Sequence, residues 1–203
     1  MKKKKLILFV GIVLCAFGLT GSLNRAHAQV AGIKTNLLYD ATATVNLGVE
    51  VGLASKLSLD ISGNLNLWTW KNNMKWKHWM VQPELRLWTC QRFAGHFFGV
   101  HALAGQFNVG NIPIPKDFRF LGVHFGALAD TRYEGWGFGA GLAYGYALPI
   151  GKHWNLEAEI GIGALYGIAN SFDCDVCNRP LAQNVRKFTP MLTKAAINIV
   201  YLF

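Results

Sequence analysis

The chain has 203 residues, 52% of them hydrophobic and 15% charged, with 22 glycines, 7 tryptophans, 6 tyrosines and 13 phenylalanines, and a formal charge of +9. That length suits one domain. Five of the positive charges, on Lys2, Lys3, Lys4, Lys5 and Arg25, belong to an N-terminal leader, which leaves +4 beyond it; with no Lys/Arg stripe outside one loop, nucleic acid is excluded as the expected partner.

The leader itself comes first. Four lysines precede an apolar run over residues 6–19, and Ala26-His27-Ala28 has the small-x-small spacing of a signal-peptidase site, so cleavage is expected after Ala28. Residues 1–28 read as a signal peptide and residues 29–203 as the exported domain. Leu14 before Cys15 is not the small residue that a lipoprotein anchor needs. Beyond the leader no segment approaches the roughly 20 continuous apolar residues of a spanning helix.

Strand periodicity then takes over. Residues 45–54, "VNLGVEVGLA", set Val45, Leu47, Val49, Val51 and Leu53 against Asn46, Gly48, Glu50, Gly52 and Ala54, and residues 57–67 set Leu57, Leu59, Ile61, Leu65 and Leu67 against Ser58, Asp60, Ser62, Asn64 and Asn66. Period two means one apolar and one polar face. Only Ser55-Lys56 separates the two runs, which is room for a tight hairpin. Continuing along the chain, the pattern predicts about eight strands, near 32–39, 45–54, 57–68, 79–89, 96–108, 135–148, 154–167 and 190–203. Short links (55–56, 90–95, 149–153) alternate with longer ones (69–78, 109–134, 168–189), and the short first loop, 40–44, breaks the pattern. That asymmetry, with strands of roughly 9 to 11 residues or more, predicts an all-β, antiparallel up-and-down transmembrane β-barrel of about eight strands.

In residues 135–148, Trp136, Phe138, Ala140, Leu142, Tyr144, Tyr146 and Leu148 are expected to face lipid, and Gly135, Gly137, Gly139, Gly141, Ala143, Gly145 and Ala147 the lumen. A barrel of about eight strands barely holds its own side chains, so one wall must be nearly bare if the others carry long groups. A soluble sandwich strand packed against a second sheet is the competing explanation. The same parity sends Glu50, Asp60, Glu84, Glu157 and Glu159 into the lumen with Lys34, Arg86, Lys194 and His101, as a salt-bridged polar plug or, in the sharper reading, an ion path. Aromatic belts are expected from Tyr39, Trp79, Trp136 and Tyr166 at the long-loop end and from Trp154, Tyr201 and Phe203 at the short-turn end.

The remaining motifs lie in loops and at the C-terminus. Cys174 and Cys177 form a CxxC for which a local disulfide is favoured; a metal site would need a second pair of ligands, and no metal or other cofactor is expected. Cys90, in a short turn at the opposite end, is too distant to join them. No Gly-x-Ser-x-Gly elbow or nucleophile–base pairing points to catalysis. Residues 71–79, "KNNMKWKHW", interleave lysines with Trp76, a combination suited to lipopolysaccharide phosphates or sugars, or to a solvated loop pinned by tryptophan. Tyr201 and Phe203 resemble a C-terminal signal for outer-membrane assembly machinery, with Asn198 where glycine is frequent, and no appended peptidoglycan-binding domain is expected.

"IKTNLLYDATATVNLGVEVGL", "KWKHWMVQPELRLW", "FAGHFFGVHALAGQFNVG" and "RYEGWGFGAGLAYGYALPIGKHWNLEAEIGIG" resemble the family numbered 3575 among domains of unknown function, common in Bacteroidetes. The resemblance covers nearly the whole exported domain, including the CxxC, and least clearly residues 168–189. It implies a barrel-like outer-membrane protein, sometimes encoded near fimbrial components, and assigns no catalytic residues. The expected role is therefore structural or in surface interaction, with outer-membrane lipid, lipopolysaccharide, the assembly machinery and fimbrial or other surface proteins as partners. A narrow ion or small-solute pore, a lipid-modifying barrel enzyme and a soluble lipocalin-like carrier are the rival classes.

Overall fold

The computed structural model describes residues 30–120, 123–173 and 180–203. The expected signal peptide, Cys174 and Cys177 lie outside the described residues. Within them the chain runs β1 (Ala31–Asn36), α1 (Leu37–Ala41), β2 (Val45–Ala54), β3 (Leu57–Asn66), β4 (Lys75–Trp88), β5 (Gly95–Gly110), β6 (Arg119–Phe120), β7 (Val123–His124), β8 (Thr131–Pro149), β9 (Trp154–Asp173) and β10 (Pro180–Leu202). Eight of these strands close into one antiparallel barrel in the order β1-β10-β9-β8-β5-β4-β3-β2, with β6 and β7 as a separate two-residue hairpin in the β5–β8 connection. No described helix is long and apolar enough to cross a membrane.

The sequence alternation becomes burial alternation. Along β5 every second residue from Phe97 to Gly105 is covered, while Phe98 and Val100 between them are exposed. On β8 the bulky set Trp136, Phe138, Leu142, Tyr144, Tyr146 and Leu148 points outward, and Gly137, Ala143, Gly145 and Ala147 are buried inside. Leaving out side chains is what makes this wall useful. A Cβ at Gly141 would sit 2.8 Å from His101 Nε2 and one at Gly161 2.9 Å from His101 Cε1, and one at Gly145 would collide with the Phe97 ring. The lumen is so narrow that one aromatic or imidazole ring uses the space of its neighbours' side chains.

Several boundaries differ from the sequence reading. The first strand stops at Asn36 rather than 39, because the Asn36 side chain accepts a hydrogen bond from the Leu38 backbone N–H and caps the short helix α1. Tyr39 consequently leaves the expected outer belt: it sits on α1 and lines the barrel mouth, 6.4 Å from the His78 ring. Lys75, Trp76 and Lys77 belong to β4, not to a loop. Most of the expected loop 168–189 is an extension of β9 and β10, which run 20 and 23 residues against 6 for β1. Outward aromatic pairs gather near each end, Trp79 with Trp136 at 5.6 Å and Trp154 with Tyr201 at 5.0 Å.

Candidate functional site

Three layers fill the lumen from the short-turn end upward. The lowest is apolar: Trp88, Phe93, Phe97, Ala147, Val200 and Leu202 form one buried cluster. Phe93 comes from the β4–β5 turn, with a backbone φ of 64° that a phenylalanine adopts only under constraint. Its carbonyl accepts from Asn155 Nδ2 at 2.5 Å, which holds the turn so that the ring folds into the barrel. Cys90 in the same turn is an exposed free thiol.

Above this plug lies the charged layer. Lys34 from β1, Glu50 from β2, Asp60 from β3, Glu84 and Arg86 from β4, His101 from β5, Glu157 and Glu159 from β9 and Lys194 from β10 all turn inward and are buried. Arg86 is the hub. It donates from Nε to Glu84 at 2.7 Å, from Nη1 to Glu50 at 2.8 Å and Glu157 at 3.0 Å, and from Nη2 to Glu159 at 2.7 Å, with Asp60 3.3 Å away. Lys34 Nζ reaches Glu50 at 2.5 Å, and Lys194 Nζ reaches Glu84 at 2.6 Å and Glu159 at 3.2 Å. His101 faces Glu84 at 3.7 Å and shares a 2.8 Å hydrogen bond with Thr193 Oγ1. All nine sequence-selected residues thus meet in one network. Desolvating so many ions is repaid only because almost every donor finds a carboxylate, and losing one partner would leave the others buried and uncompensated.

The network and the plug are joined. The Arg86 guanidinium lies 4.5 Å above the Phe97 ring, and Trp88 Nε1 donates to Ser58 Oγ at 2.8 Å, which donates to Glu50 at 2.5 Å. Ser58, Gln82, Thr193 and Asn198 are members that the sequence reading did not select. Ser58, Gln82 and Asn198 had a signal, being on the polar parity of their strands. Asn198 donates to Glu157 at 2.8 Å, a use for a side chain where glycine was the expected residue. Thr193 had none: pairing shifts between Leu192 and Lys194, and this bulge turns both Thr193 and Lys194 inward where strict alternation allows one.

The upper layer is open and apolar. A cavity of about 500 Å³ occupies the long-loop half of the barrel, lined among others by Met80, Leu103, Phe107, Leu165 and Met191, with Tyr39, Trp76 and His78 at its mouth and Thr193 and Lys194 on its floor. Gly105 and Gly137 leave its wall bare. His78 is half-buried here beside Trp76. Between cavity and network, a polar space of about 30 Å³ lined by Lys34, Asp60, Asn64 and Gln82 is the size of a water molecule.

Among the described residues no group of three or more His, Cys, Asp or Glu side chains could hold a metal ion. Neither the curated proteins nor the solved structures yield a match. The family model described as a protein of unknown function (DUF3575) matches residues 11–203, and the chain belongs to that family.

Proposed function

We propose that the protein is an outer-membrane barrel that neither conducts nor catalyses, and that it serves as a rigid membrane anchor presenting its long-loop end for interaction at the cell surface. The observation that carries the reading is the pairing of an apolar exterior with a short-turn half that is filled. Leu47, Leu87, Val100, Leu142 and Ile162, on five different strands, are each more than half exposed. A band of that kind right round a barrel far exceeds the patches that soluble monomers leave bare. Inside, Arg86 and Phe97 are each 0% exposed, so water does not thread the short-turn half.

The exposed aromatic rings near each end suit the two interfaces of a bilayer, and Tyr201 on the closing strand with Phe203 just after it suits recognition by assembly machinery. A carboxylate-rich network ion-paired on every side to arginine and lysine is better suited to holding eight strands together than to proton transfer. In planar bilayers the purified protein is expected to give no conductance steps, and deletion of its gene no change in lipid A mass. Stepwise currents would establish the pore instead, and an altered lipid A mass the enzyme.

A further inference from the structure

We propose that the apolar cavity in the long-loop half of the lumen is a binding site for an amphiphile with one aliphatic chain, the chain inside the barrel and the polar head at the mouth. The inference needs only the barrel, not its location, so it stands or falls separately from the reading above. At about 500 Å³ the cavity lies within the roughly 300–1,000 Å³ of small-molecule sites. Its chemistry divides along its depth. Met80, Leu103, Leu165 and Met191 supply flexible aliphatic contact, and methionine adapts readily to a chain of variable shape.

Polar groups gather at the open end, where Tyr39, Thr42 and His78 stand at the mouth. Burial pushes the Tyr39 hydroxyl pKa up, so it remains a hydrogen-bond donor for a head group. The floor offers nothing to a second polar end, because Lys194 is already engaged by Glu84 and Glu159, and Thr193 by His101. One end that tolerates a polar group and one that does not is the geometry for a single-chain amphiphile rather than a sugar. The bare wall at Gly137 provides the space: the nearest atoms to a Cβ there would be Leu165 Cδ1 at 3.3 Å, Phe107 Cε1 at 3.7 Å and Leu165 Cδ2 at 3.8 Å, all ends of side chains.

Filling that space is the test. The purified barrel, trapped in amphipol, would be incubated with palmitate or with palmitoyl lysophosphatidylglycerol and examined by native mass spectrometry, comparing wild type, Gly137→Leu, Leu165→Phe and the outward control Ala140→Leu. Wild type and Ala140→Leu are expected to retain one amphiphile. The two inward variants should bind roughly tenfold more weakly or worse, the equivalent of about two methylenes of lost burial. Retention of palmitate alone would identify a fatty-acid site, and retention of the lysolipid a phospholipid-derived one. Migration without boiling reports folding for each variant, and either inward variant that folds decides the matter. Equal retention by the inward variants and wild type, loss in Ala140→Leu alone, or no adduct with wild type would overturn the proposal.

Discussion

The two halves of the lumen are built from the same strands yet solve opposite problems. In the short-turn half, the space that inward glycines leave is taken by side chains of the lumen: Phe97 lies against Gly145, and Glu84 is 2.6 Å from where a Gly99 Cβ would be. In the long-loop half, Gly137 faces a cavity instead. Glycine on a barrel wall is therefore not one signal but two, making room either for a side chain from across the lumen or for something that is not part of the chain. Packing and ion pairing concentrate rigidity below, and the upper half is left receptive.

Breaking the lower half should have the largest effect. Arg86→Met removes the donor shared by Glu50, Glu84, Glu157 and Glu159 and is expected to cost on the order of 3–5 kcal/mol, read as a lower temperature at which the unboiled form is lost. Next comes the division between inside and outside on which both halves depend. Leu142→Arg, outward, should impair membrane insertion by about 2–4 kcal/mol near the bilayer midplane, whereas neighbouring Ala143→Ser, inward, should not; equal yields of assembled protein would show the facing to be wrong.

The comparison is sharpest where the same substitution is made in each half. Gly145→Ala drives a methyl into the Phe97 ring and should destabilise by about 1–3 kcal/mol, while Gly137→Ala should stay within about 0.5 kcal/mol by thermal unfolding. A modest effect is expected at the mouth, where Asn36→Ala removes the cap of α1 at about 1 kcal/mol or less. A larger loss there would mean that the bonds of the Asn36 side chain to β10, to the Ala195 carbonyl and from the Ile197 N–H, matter more than the cap.

Much of the lower half was legible because period two fixes facing, and a charge on the lumen parity of a narrow barrel has nowhere to go but onto other charges. Lys34, Glu50, Asp60 and Arg86 needed no more than that. Phe93 was not legible, since a turn has no parity and only its burial against Trp88 shows the ring turned inward. Thr193 was hidden by a bulge, which changes facing without leaving a mark in composition. The cap at Asn36 was written in the sequence, but Leu37 and Leu38 after it continue a strand-like apolar pattern. The cavity could not be read at all: Met80, Leu103 and Leu165 look like ordinary apolar strand residues, and only the closed ring shows them facing one another across unfilled space.

The central claim, a filled barrel seated in the outer membrane, is tested most directly by fractionating cells and running the outer-membrane fraction on a denaturing gel with and without boiling. The account predicts that the protein is found in that fraction and migrates differently when unboiled, as a folded barrel does. A soluble periplasmic protein with the same mobility in both lanes would contradict it.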